Sequence, residues 1–281
     1  MANEGAEILS RITSLNPELR RQWQAPRKFP YAVIDDFLPE AVVKAALEGF
    51  PQRDAANWKR TPYAHQREKL AMESGIPSPC QAVLDTLNGR PFLDLLEQAT
   101  GINGLLSDPD LVGGGLHQIE ADGFLNVHVD FNFHPRKRLH RRMNLLVYLN
   151  PDWDDAWEGH LELWDMDRKE RLERIAPKLN RAVLFETNEV SFHGHPRPLK
   201  TPPGVVRRSM ALYYYTESRE TVAPEHNTLY RYTSIADYPK VARATAQALV
   251  DRLKTEGVRR TGRIIATRIV DRILGRAPRN R

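Results

Sequence analysis

From Gly115 to Tyr215 the chain runs as short segments in which apolar and polar positions alternate or apolar residues cluster, with turn-forming residues between them. Gly123–Asp130 alternates. Arg142–Asn150 reads as a buried strand leaving into a turn at Pro151-Asp152-Trp153. Gly159–Trp164 is a half-buried strand, Ala182–Phe185 a short apolar run, and Val205–Tyr215 another strand. Such a succession predicts an antiparallel jelly roll or barrel rather than a parallel sheet. Asp122-Gly123 is a turn signal, which predicts that Gly115–Glu120 and Gly123–Asp130 pair as a hairpin. Upstream, the pattern predicts a helix over 6–24, a linker from Pro26 to Pro30, a strand Tyr31–Ile34, and an amphipathic helix from Pro39 to Phe50 stopped by Pro51. Residues 52–79, polar with Trp58, Tyr63 and His65, are expected as a loop over the mouth of any site the core holds, and a helix near 80–100 precedes that core. Downstream, Tyr238–Thr255 and Gly262–Leu274 read as helices, the second with Ile265, Ile269 and Ile273 on one stripe.

Composition narrows the class. With 281 residues the chain can hold one large domain or a domain with an appended piece. A hydrophobic content of 41% and a mean hydropathy of −0.54 fit a soluble protein. Cys80 is the single cysteine, so an internal disulfide is excluded and a reducing compartment is expected. The N-terminus lacks the basic start and apolar stretch of a signal peptide, and no apolar run approaches the roughly 20 residues of a bilayer span. These features together predict a cytoplasmic protein.

The net charge of +5 is unevenly spread. Residues 252–281 carry ten Lys and Arg against Glu256 and Asp271, a net +8, which leaves −3 for the other 251 residues. This basic amphipathic helix suits an anionic surface, nucleic acid or an acidic partner; equally, it could pack its stripe on the body or on a second copy of the chain.

The chemistry begins at His128-Val129-Asp130. On a strand, positions i and i+2 project to one face, so both side chains can reach one ion. A second imidazole far downstream, at His193, would complete two histidines and a carboxylate on one face of an iron, leaving three coordination positions open. Alone, an H-x-D pair is a common accident. Here Tyr148-Leu149-Asn150, Asp152-Trp153, the distal His193 and Arg207-x-Ser209 follow it in order.

In these elements the chain resembles the Fe(II)/2-oxoglutarate-dependent dioxygenases, in the branch similar to prolyl hydroxylases. The resemblance covers about residues 112–216, with a weaker likeness in Asp35-Asp36-Phe37-Leu38. One departure is visible: the family usually has a Gly-Gly pair after the Asp-Trp turn, and here it is Gly159-His160. The resemblance implies a mainly β fold with flanking helices and a double-stranded β-helix (jelly-roll, cupin-like) core. It also implies Fe(II) as cofactor, 2-oxoglutarate as co-substrate, O2 as oxidant and ascorbate in support. His128, Asp130 and His193 would then be the metal-binding and catalytic residues, with His195, two residues on, as the alternative distal ligand. The distal carboxylate of 2-oxoglutarate would go to Arg207, whose strand face also carries Ser209, Ala211 and Tyr213. Arg208 is the alternative, on a face with Met210, Leu212 and Tyr214. Ser209 is a second expected donor. Tyr148 is a third, unless it is a core tyrosine.

Three regions follow: 1–111, helices and early strands supporting the core; 112–216, the catalytic core; and 217–281, a basic helical extension. The expected activity is hydroxylation of an aliphatic C–H bond of a prolyl, peptidyl or amino-acid substrate, with release of succinate and CO2. Alternatives are an oxygenase acting on a small metabolite or carbohydrate intermediate, and a basic-tailed nucleic-acid-binding protein or demethylase. The basic, aromatic loop Phe131–Arg138 after Asp130 would border the mouth and suit an anionic or peptide substrate. Which residues bind that substrate is not legible.

Overall fold

The computed structural model describes residues 2–60 and 65–233. In chain order the elements are α1 (Ala2–Trp23), β1 (Tyr31–Ile34), α2 (Glu40–Glu48), β2 (Lys59–Arg60), β3 (Gln66–Met72), α3 (Ser78–Asn88), α4 (Arg90–Thr100), β4 (Leu106–Ser107), β5 (Gly115–Val129), β6 (His140–Tyr148), β7 (Leu161–Asp165), β8 (Glu170–Ile175), β9 (Ala182–Glu186), β10 (Phe192–His195), β11 (Arg207–Thr216) and β12 (Leu229–Tyr230). The strands join in the order β1-β9-β6-β11-β5-β10-β7-β8, with antiparallel neighbours.

β5 makes the sheet curl. One of its edges carries β11 along the first half and β10 along the second; the other carries β3 and then β12. Its halves therefore belong to two facing layers, which gives the mainly β jelly-roll core. Strands from outside 112–216 complete the sheet: β1 pairs with β9, β4 with β11, and β12 with β5.

Alternation on β6, β9 and β11 divides the molecule. Met143, Leu145 and Val147, with Met210, Leu212 and Tyr214 and with Ala182 and Leu184, point outward. The helices cover them, contributing Ile8, Ile12, Val83, Leu84, Phe92 and Leu96 to the same core. Each large side chain so covered contributes about 1.5–3 kcal/mol. The opposite face of the same strands lines a cavity.

Several local expectations are corrected. The region 115–129 is one continuous strand, not a hairpin. Asp122 takes a positive φ of 62°, but Gly123 does not, and a type I′ turn needs both. The extra residues form a bulge, where β3 shifts register between Arg67 and Lys69. Gly123 is needed for close approach, since a Cβ there would lie 2.4 Å from Cγ2 of Ile119. The expected loop over 52–79 contains β2 and β3, and β3 runs along β5 as part of the sheet. The single helix near 80–100 is two, because Gly89 is extended and Pro91 sits in the first turn of α4, where no N–H is required. The charged helices expected from Tyr238 onward lie outside the described residues, and so does Tyr63. No helix among the described residues is long and apolar enough to cross a membrane.

Candidate active site

The cavity, of about 230 Å³, opens between the two layers. At one end β5 and β10 bring His128 opposite His193. A second bulge, three residues on β5 against two on β10, changes which face of β5 looks inward, so that Leu125 and His128 both line the cavity. Asp130 follows just past the strand end. His128 Nε2 lies 3.5 Å from Asp130 Oδ1 and His193 Nε2 lies 3.4 Å from Oδ2. A ligand atom from each of the three falls within 4.8 Å of the others, so the group could hold one metal ion.

The histidine tautomers suit that role. His128 Nδ1 meets the Asn126 carbonyl at 2.8 Å and His193 Nδ1 meets the Ser191 carbonyl at 2.9 Å. A carbonyl only accepts, so each Nδ1 carries a proton and each Nε2 is the nitrogen that faces the cluster. Burial, reinforced by the neighbouring His128, pushes His193 down to about 4, so it is neutral at physiological pH. Burial alone would raise the Asp130 pKa, but the Arg141 guanidinium holds it well below the usual carboxylate range. Two imidazoles and a carboxylate form a donor set that fits Fe(II). His195 also faces the cavity, but pairs with Leu125 one step from the cluster and is not part of it.

Two residues that orient Asp130 escaped the sequence reading. Asn144 Nδ2 donates to Asp130 Oδ2 at 2.7 Å, and an Arg141 terminal nitrogen lies 3.1 Å from the same oxygen. Arg141 also donates to Asn144 Oδ1 at 3.0 and 2.7 Å, and its guanidinium stacks on Tyr213 at 3.6 Å and Phe131 at 4.4 Å. By strict alternation from Asn144, the inward residue would be Arg142. A register shift opposite Tyr214 and Tyr215 turns Arg141 inward instead.

At the other end β11 projects Arg207 and Ser209 into the cavity, while Tyr213, further along the same strand face, sits against Arg141 at the metal end. Arg207 is only 4% exposed; it donates from Nε to the Gly159 carbonyl at 2.7 Å and from a terminal nitrogen to the Tyr148 hydroxyl at 3.2 Å. The other terminal nitrogen of its planar fork remains for a carboxylate. Ser209 is buried opposite Tyr148. Arg208 points the other way, with its guanidinium 5.3 Å from the Phe50 ring centroid. Gly159 has a φ of +73°, and a Cβ there would stand 3.2 Å from Arg207 Cδ. His160, where the family has a second glycine, meets Asp155 at 3.2 Å and does not line the cavity.

Lys69 and Gln66 from β3, and Thr228 and Tyr230 from around β12, complete the wall. The Tyr230 ring lies 5.2 Å from His128 and stacks on His65 at 4.2 Å. Of the loop Phe131–Arg138, only Phe131 lines the cavity; Lys137 pairs with Asp108 and Asp110 at 3.2 and 3.1 Å. Cys80 is buried away from the site, where desolvation pushes its thiol up to about 12, and it donates to the Ala46 carbonyl.

A jelly roll holding two histidines and a carboxylate across from a buried arginine defines the class of non-haem iron oxygenases. Residues 114–215 match the model of the 2OG-Fe(II) oxygenase superfamily. A segment of 57 residues is 39% identical to mouse (Mus musculus) prolyl 3-hydroxylase OGFOD1, covering 19% of this chain and 10% of that protein's length. In fold, the chain is similar to a Trichoplax adhaerens prolyl hydroxylase solved with a hypoxia-inducible-factor peptide (TM-score 0.52, 19% identity, 74% of this chain and 92% of that one). It is also similar to a Pseudomonas putida prolyl-4-hydroxylase (TM-score 0.51, 20% identity, 71% of this chain and 100% of that one).

Proposed function

We propose that the protein is an Fe(II)- and 2-oxoglutarate-dependent hydroxylase that oxidises an aliphatic C–H bond of a prolyl, peptidyl or amino-acid substrate. The observation that carries this reading is the His128–Asp130–His193 cluster lying in one cavity with the buried Arg207. In the proposal His128, Asp130 and His193 hold the metal, and Arg207, with Ser209 and Tyr148, takes the distal carboxylate of 2-oxoglutarate. Bound there, iron with 2-oxoglutarate and O2 supplies the oxidising power for hydroxylation, as 2-oxoglutarate becomes succinate and CO2.

The chain's own residues do the positioning. Asn144 and Arg141 fix the Asp130 carboxylate, and the Asn126 and Ser191 carbonyls fix the imidazole planes. Leu146, Leu161 and Phe185 form an apolar wall that excludes water between the two polar ends. The prolyl hydroxylase-like fold and the matched segment of a prolyl 3-hydroxylase support a prolyl or peptidyl substrate. We further propose that the basic segment after about residue 257 serves assembly or an anionic partner and takes no part in the iron chemistry, and that the protein is cytoplasmic.

Succinate release from 2-oxoglutarate, with iron and ascorbate, across a library of prolyl peptides and amino acids tests the activity. Release that depends on iron and rises with a proline-containing member is the expected result. A wild-type protein that binds iron and 2-oxoglutarate yet releases no succinate with any member would contradict it.

A further inference from the structure

The charges lining the cavity do not balance. Lys69, Arg141 and Arg207 face a single carboxylate, Asp130. Arg141 is committed to Asp130 at 3.1 Å, and Arg207, in the reading above, to the distal carboxylate of 2-oxoglutarate. In that reading the second carboxylate of the dianion would offset one charge of the metal dication. Lys69 is left over. Among the described residues no carboxylate lies within ion-pair distance of its ammonium, and Glu73, just past the end of β3, is paired with Lys59 at 3.1 Å.

The register shows why Lys69 does not simply join Arg207. Ile119 on β5 is the partner of Arg207 on one side and of Lys69 on the other. Two strand spacings put their Cα atoms about 9.5 Å apart, with the Ile119 side chain between them. The Arg207 guanidinium then leans away from β3, toward Tyr148 on β6 and the Gly159 carbonyl. Arg207 is buried at the floor. Lys69 is half-buried on the outermost long strand of this edge, in the wall of the cavity beside Gln66. Burial, assisted by the Arg207 and Arg141 guanidiniums and opposed by Asp130, pushes its pKa down to about 8. A bound anion would offset that cost.

We propose that Lys69 is the specificity-determining residue for the primary substrate, binding a carboxylate that the substrate carries near the C–H bond to be oxidised. This rests on the oxygenase reading and deepens it: the substrate is anionic, and its counter-charge comes from β3 rather than from the basic loop after Asp130.

Calorimetric titration of the full chain, kept anaerobic with Fe(II) and 2-oxoglutarate so that only binding is read, tests it. The probes are matched pairs: L-proline and L-prolinamide, and the dipeptides Pro-Asp and Pro-Asn. The wild type should bind the carboxylate member of a pair about tenfold or more tightly than its amide, as a charge-assisted hydrogen bond requires. Lys69→Met should abolish the preference and leave 2-oxoglutarate affinity within about twofold, while Lys69→Arg should keep the preference. An equal response to both members of each pair, including none to either, overturns the inference. So does a loss of 2-oxoglutarate affinity in Lys69→Met comparable to that in Arg207→Ala, which would assign Lys69 to the co-substrate. A wild type that binds no 2-oxoglutarate with Fe(II) would sink the oxygenase reading, and this inference with it.

Discussion

The two faces of β6 and β11 are built from the same strands and are both buried, yet they differ in kind. The outer face is Met143, Leu145, Val147, Met210 and Leu212, packed under the helices. The inner face is Asn144, Tyr148, Arg207, Ser209 and Tyr213, polar groups held out of bulk water around a cavity. Burying apolar surface stabilises the fold; burying a guanidinium beside a cavity costs stability unless something binds there. The first face explains why the chain folds, and the second what the fold is for.

The sharpest contrast comes from Leu145→Ala. A buried leucine lost from the outer face should cost about 2–5 kcal/mol of unfolding free energy, read by chemical denaturation, with iron and 2-oxoglutarate affinities of the folded protein unchanged. A parallel loss of ligand affinity would mean that the faces are not separable. Arg207→Ala should do the reverse. It should weaken 2-oxoglutarate binding about a hundredfold by calorimetry and lower the thermal midpoint less than Leu145→Ala does. Arg208→Ala, which removes a charge over Phe50, should leave 2-oxoglutarate binding nearly unchanged; the opposite pattern would move the anchor to Arg208. Asn144→Ala, which removes one donor to Asp130, should weaken iron binding about 10–100-fold by equilibrium dialysis, the usual cost of an outer partner of a metal ligand. No change would make Asn144 a packing residue. The smallest effect is expected from ending the chain after Glu256: iron and 2-oxoglutarate binding persist, while oligomeric state or retention on an anionic matrix changes. Loss of fold or of turnover would place the tail in the core or the site.

The inner face was legible in the sequence wherever alternation ran undisturbed. β11 has no irregularity between Arg207 and Tyr214, so the separation of Arg207 and Ser209 from Arg208 and Met210 could be read directly from its pattern. Bulges hid the rest. The register shift in β6 turned Arg141 inward against the count from Asn144, and the bulge near Asp122 made a continuous strand look like a hairpin. β3 was hidden for a different reason. Gln66 and Lys69 face the cavity, so a half-buried strand showed polar residues where a period-two reading looks for apolar ones. Tyr230 reaches His128 only because β12 returns to the edge of β5, a long-range pairing that no local pattern encodes.

The central claim is that His128, Asp130 and His193 form the metal site, and Fe(II) stoichiometry measured anaerobically on His193→Ala and His195→Ala tests it most directly. Both histidines line the cavity on one strand, so general disturbance of the site would affect the variants alike. One iron per chain is expected in the wild type and in His195→Ala, and none retained in His193→Ala. Full iron in His193→Ala with loss in His195→Ala would contradict it.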